Sequence, residues 1–154
     1  SAHTVLGTAG VRVFDRDACI TGLSEKVAAR AGIEHRSVMI RRGHHVDYYP
    51  DAKEMALKLI WEPGTRRVLG AQAVGEAGVD KRIDVLAVAI RAGMTVYDLE
   101  DLELAYAPPY GSAKDPVNLA GMIAANNQMV SPIIAADNSV PQRLTRPGHT
   151  HSQG

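Results

Sequence analysis

Residues 55–74 read MALKLIWEPGTRRVLGAQAV. From Met55 to Trp61 apolar residues recur at every second position, and Val68 to Val74 repeats the alternation. A period of two is the mark of a strand with one buried face. Between the two runs lies EPGTRR, whose Pro63-Gly64 pair marks a tight turn. Two alternating runs joined by so short a polar link predict a β-hairpin, and with it an antiparallel sheet.

Working outward, Val11 and Val13 flank Arg12 at the head of VRVFDRDACIT (residues 11–21), which reads as a strand. GLSEKVAARAG (22–32) then carries helix punctuation: Ser24 as cap, Glu25 in the first turn and Gly32 as stop. Ser37 to Ile40 reads as another strand, leading into the polar stretch RRGHHVDYYPDA (41–52). Beyond the hairpin, Ile83, Leu86, Ala87 and Ile90 form one helical stripe, with Asp80 as its expected N-cap and Gly93 as its end. Thr95 and Asp98 are spaced as a capping box, with Met94 and Leu99 as a hydrophobic staple. LAYAPPYGSAKDPVN (104–118) follows as an expected strand and turn, and Asp115-Pro116 starts a last helix through Leu119, Met122, Ile123 and Asn126. From about Met129 periodicity fades and prolines recur, so residues 130–154 are expected to be tail or linker after a domain spanning 1–129. The order β-α-β-β-β-α-α-β-α predicts an α+β domain with a mainly antiparallel sheet.

The composition narrows function. Lys plus Arg and Asp plus Glu number 17 each, so no basic footprint for nucleic acid or an anionic surface is expected. No apolar run approaches the roughly 20 residues that span a bilayer, and SAHTVLGTAG lacks the features of a secretory signal. One cysteine fits a reducing, cytoplasmic setting, and a start at Ser1 fits a fragment or a processed product. The chain has neither G-x-G-x-x-G nor G-x-x-x-x-G-K-[ST], and no C-x-x-C pair or G-x-S-x-G elbow. On its own it lacks the parts of a self-sufficient enzyme.

Five candidate features remain. Cys19 lies in an alternating run with nothing nearby to stabilise a thiolate, so it reads as structural. His44-His45 and His149-x-His151 lack the companions of a metal site, and no metal is expected; His45 fits the polar rim of a site built elsewhere. Asp80-Lys81-Arg82 places two cations at a helix start, against the dipole, which hints at an anion or partner nearby. Tyr48-Tyr49-Pro50 and Tyr106-Ala107-Pro108-Pro109-Tyr110 gather four of only five tyrosines. Two readings of them stand: rings edging the core with hydroxyls in water, or phenols presented rigidly to a developing anion.

The string GVDKRIDVLAVAIRAGMTVYDLEDLELAYAPPYGSAKDPVNLAGMIAAN, with HHVDYYPDA and LGAQAVG upstream, resembles the C-terminal dimerisation domain of pyridine nucleotide-disulfide oxidoreductases. The likeness covers roughly Leu6 to Asn127 and is nearest to the coenzyme A disulfide reductase branch, including members fused to a rhodanese domain. It implies that helices cover one face of the sheet. It also implies FAD and NAD(P)H domains absent from this chain, a redox cysteine in the FAD domain, and a homodimer acting on a small disulfide or sulfur substrate. By motif position, Tyr48 and Tyr106 match two tyrosines that approach the partner subunit's flavin and catalytic cysteine, and Pro108 and Pro109 would lie near that flavin. The chain departs from the pattern at Asp51, commonly Gly, and at Cys19, commonly a small residue without a thiol. NADH oxidases of the same superfamily share the fold, and a free-standing association module is the non-enzymatic alternative.

Overall fold

Antiparallel pairing dominates the computed structural model, which describes residues 7–43, 54–105, 114–126 and 131–135. Six strands, β1 (Ala9–Val13), β2 (Arg16–Gly22), β3 (Arg36–Gly43), β4 (Glu54–Trp61), β5 (Val68–Gly75) and β6 (Ser131–Ala135), form one sheet in the order β1-β2-β5-β4-β3-β6. Every neighbouring pair is antiparallel except β3 with β6. The expected hairpin is present, with Leu59 opposite Ala71 and Leu57 opposite Ala73. Alternation sends Met55, Leu57, Leu59 and Trp61 into the core, where they meet Val38 and Ile40 of β3.

The helices are α1 (Glu25–Arg30), α2 (Val79–Arg91), α3 (Val96–Asp101) and α4 (Pro116–Asn126). Val79, Ile83, Leu86 and Ala89 of α2, Val96 and Leu99 of α3, and Val117, Ala120 and Ile123 of α4 close one core with the sheet. The fold is therefore α+β, with these three helices on one sheet face. Among the described residues no helix is long and apolar enough to cross a membrane.

Short α1 lies toward the other face. Its Glu25 accepts a hydrogen bond from Ser37 and pairs with Lys58, which alternate with the core residues Val38, Leu57 and Leu59. The Lys58 ammonium first, and the Ser37 hydroxyl second, hold the Glu25 carboxyl below the ordinary glutamate range. A lowered folded-state value stabilises the fold above the unfolded value of about 4.3 and is lost as pH falls through the lowered one. The stability gap between wild type and Glu25→Gln should therefore shrink between about pH 5 and pH 3. Urea titrations followed through Trp61, the only tryptophan and a buried one, would read it. A gap unchanged with pH would contradict the assignment.

Local signals hold where side-chain chemistry is specific. Ser24 caps α1 by accepting from the Val27 amide at 3.1 Å. Thr95 and Asp98 form the reciprocal capping box at α3. Asp115 starts α4, its Oδ1 accepting from the Val117 amide at 2.9 Å.

Three expectations are corrected, and a fourth is tested only in part. Residues 11–21 are not one strand: the chain reverses at Phe14 and Asp15, giving β1 and β2 with Arg12 opposite Asp17. Phe14 has φ 58° and is 97% exposed, an uncommon conformation for a bulky residue. With no glycine in VFDRD, the usual turn signal is missing. Asp80 is not the N-cap of α2; Gly78 is, at φ 75°, and Asp80 falls in the first turn, where the helix dipole favours its charge. Residues 102–105 form no strand, and the Asn118 side chain donates to the Leu102 carbonyl; the rest of the strand and turn expected from Leu104 lies outside the described residues. Finally, β6 lies within the stretch expected to be tail. It is an edge strand, where the missing N–H of Pro132 is tolerated.

Candidate functional site

The core stripe of α2 contains a charge. Arg82 is only 3% exposed, on the same face as Val79, Leu86 and Ala89. Its Nη1 donates to the Gly78 carbonyl at 3.1 Å, and its Nη2 pairs with Asp115 Oδ2 at 3.1 Å. The Asp115 side chain is 10% exposed and spends its other oxygen on the α4 cap. The anion expected near Lys81 and Arg82 is thus supplied from within the chain, by Asp115.

This pair fixes which end of the molecule α4 starts from. Gly43 and Glu54 form the last rung of the β3–β4 ladder, and Met55 faces Gly75. Three residues after Gly75, Gly78 caps α2 and holds Arg82. At the opposite end of the sheet, Arg66 of the β4–β5 turn donates to the Ala124 carbonyl at 3.5 Å. Hence β3 ends and β4 begins at the end of the sheet where α4 starts.

Asn118, 8% exposed, ties the first turn of α4 to the end of α3. Its Nδ2 donates to the carbonyls of Leu99 at 2.9 Å and Leu102 at 2.8 Å, near the end of α3. The amide adds a second partner to the Leu99 carbonyl, which the Leu102 amide also reaches, and supplies one to the Leu102 carbonyl beyond the helix end. Gly121 lets the two helices approach. A Cβ there would lie 2.7 Å from Leu99 Cβ, 2.8 Å from the Val96 carbonyl and 2.9 Å from the Glu100 amide. Two of those three are backbone atoms, so α3 itself would have to move. Gly121→Val is expected to destabilise the domain by about 2 kcal/mol, overpacking outweighing the gain in helix propensity. A neutral or raised urea midpoint would show that α3 can yield.

Tyr48, Tyr106, Pro108 and Pro109 lie outside the described residues, as do His44, His45, Tyr110, His149 and His151. Among the described residues no three His, Cys, Asp or Glu side chains gather as a metal site. Burial first, then the nearby carboxylates of Asp17, Asp80 and Asp84, push the Cys19 thiol up. Such a shift opposes thiolate formation. Sequence reasoning missed Asn118 and the burial of Arg82. The 79/82/86/89 spacing would have placed Arg82 on the apolar face.

Residues 8–116 match the dimerisation domain of pyridine nucleotide-disulphide oxidoreductases. The chain belongs to this family. The coenzyme A disulfide reductase of Staphylococcus haemolyticus is 40% identical to the dimerisation domain over 116 residues, which are 75% of this chain and 26% of that protein. The reduced Bacillus anthracis CoADR-RHD structure shares 50% identity at a TM-score of 0.77, covering 79% of this chain and 22% of that one. A NAD-dependent persulfide reductase from A. fulgidus gives 48% identity at a TM-score of 0.77, over 79% and 23% of the respective chains. The dimerisation domain thus spans about a quarter of the length of the relatives it matches.

Proposed function

We propose that this domain pairs two subunits of an FAD-dependent, NAD(P)H-using reductase of disulfides, persulfides or polysulfides, and lends Tyr48 and Tyr106 to the partner subunit's active site. The observation that carries this is the family match over residues 8–116, a span that includes both tyrosine positions. Relatives named for coenzyme A disulfide and persulfide reduction support the substrate class.

The chemistry gives a phenol a definite task. A cysteine thiolate of the flavin domain attacks one sulfur of the substrate, a new S–S bond forms, and the substrate S–S bond breaks. The expelled thiolate carries the electron pair, and a phenol within hydrogen-bond reach stabilises it or gives it a proton. Electrons enter from NAD(P)H by way of the flavin when both are bound.

A twofold interface burying above ~1,200 Å² in total would hold such a dimer. The test is an anaerobic assay of the full-length protein carrying this domain, with coenzyme A disulfide, polysulfide and then oxygen as acceptors. Turnover of a sulfur acceptor supports the reading. Turnover of oxygen alone would assign the protein to the NADH oxidases, and sedimentation as a monomer would remove the dimer.

A further inference from the structure

We propose that two copies of this domain meet on the sheet face turned away from α2, α3 and α4, with Val11, Ala18, Val74 and Ala56 at the centre of the contact. The inference rests on the reading above that the domain pairs two subunits, and adds where it does so.

The ladder registers define the surface. Val11 lies opposite Ala18, Ala18 opposite Val74 and Val74 opposite Ala56, so one apolar row crosses β1, β2, β5 and β4. Their neighbours Cys19, Ala73 and Leu57 point to the other side, into the core under the three helices. Farther along the open face, α1 and its lead-in provide cover. A Cβ at Gly70 would lie 1.8 Å from the Leu23 carbonyl oxygen, and Glu25 reaches Lys58 and Ser37. The apolar row itself stays open, with Val11 58% and Val74 44% exposed. Val13 and Phe14 extend it along the β1–β2 hairpin, both exposed, and Phe14 holds its ring out at a φ that bulky residues avoid. β1 is also a sheet edge, exposed at all five residues, and natural proteins cover or charge such edges. A contiguous apolar patch of this kind marks an interaction surface.

Charge favours a second copy here over the helix side. In a twofold contact the same patch lies on both partners, so a face of one sign repels itself. The exposed residues at α3 include Asp98 and Asp101, with Glu103 just beyond, all acidic. The outer side of α2 exposes Asp80, Lys81, Asp84 and Arg91, whereas interface centres are depleted of charge. Around the open row both signs are present, Arg16 and Arg41 against Glu54. A copy turned through 180° sets apolar row against apolar row and leaves cation and carboxylate free to pair at the rim. The match of residues 8–116 to a dimerisation domain names the second copy as the occupant.

The test is sedimentation of the full-length reductase carrying this domain, over a dilution series, as wild type, Val74→Glu, Val11→Glu and Val88→Glu. Val88, on the outer side of α2 and 67% exposed, is the control for adding a charge to an open valine. Trp61 fluorescence checks that each variant folds. A twofold contact buries each new carboxylate twice and without a partner. Val74→Glu and Val11→Glu should therefore raise the dimer dissociation constant by about a hundredfold or more. Val88→Glu should leave it within about twofold. An unchanged constant in Val74→Glu and Val11→Glu would overturn the assignment, and so would an equal rise in Val88→Glu. Lost thermal stability at every protein concentration, with the dimer intact, would place the row against another domain of the same polypeptide and overturn it too. If the wild type itself sediments as a monomer, the pairing reading fails first and takes this inference with it. Should one of the two sheet variants fail to fold, the other decides the outcome.

Discussion

Arg82→Met should destabilise the domain by about 3–5 kcal/mol, the range for removing one partner of a buried ion pair. The methionine fills most of the arginine's volume, so the loss is not chiefly one of packing. What remains is Asp115, a 10%-exposed carboxylate without the guanidinium that faces it in the wild type. A second substitution separates the two contributions. Asp115→Asn keeps an oxygen to accept from the Val117 amide, preserving a cap of about 1 kcal/mol, and carries no charge. Arg82→Met/Asp115→Asn should therefore be more stable than Arg82→Met alone. Urea unfolding of both variants, followed through Trp61, measures the difference. If the double variant is the weaker, the arginine acts through its contact with the Gly78 carbonyl more than through Asp115.

Tyr106→Phe is expected to slow reduction of a disulfide acceptor by about a hundredfold, the lower end of what a positioned general acid supplies. The substitution removes one hydroxyl and keeps the ring, so packing is conserved. Nicotinamide-driven flavin reduction involves no leaving thiolate and should proceed at nearly the wild-type rate. Tyr48→Phe should affect the same half-reaction, and the double variant should fall short of the product of the two, since groups acting as a unit are not additive. Stopped-flow traces of the two half-reactions provide the check. An unchanged acceptor step would return Tyr106 to the reading in which it edges the core.

Particular residues show why parts of this fold were legible in the sequence. The β4–β5 hairpin was, because a strict period of two surrounds one Pro-Gly turn. So were the starts of α1, α3 and α4, where Ser24, Thr95 and Asp115 can each satisfy a specific backbone amide within three residues. The reversal at Phe14 was not, because its turn is made by an aromatic residue at positive φ, against the usual preference. The hold on the Leu102 carbonyl by a side chain 16 residues away is a tertiary effect with no local trace. Strand β6 is five residues long, contains a proline and pairs in parallel with a distant strand, so neither alternation nor a hairpin announces it. At the candidate site, motif strings pointed to Tyr48 and Tyr106, whereas the buried Arg82–Asp115 pair emerged only from packing. Two cations at a helix start already marked the place, though they did not say that one of them faced inward.

The central claim is that this domain serves the active site of the other subunit. It is tested most directly by a mixed dimer. One subunit would carry Tyr106→Phe and an intact redox cysteine in its flavin domain; the other would lack that cysteine and keep Tyr106. If the phenol acts across the interface, one complete site forms in each mixed dimer, and about half the wild-type rate of disulfide reduction should return. If activity stays near that of Tyr106→Phe alone, the tyrosine serves its own subunit and the claim is contradicted.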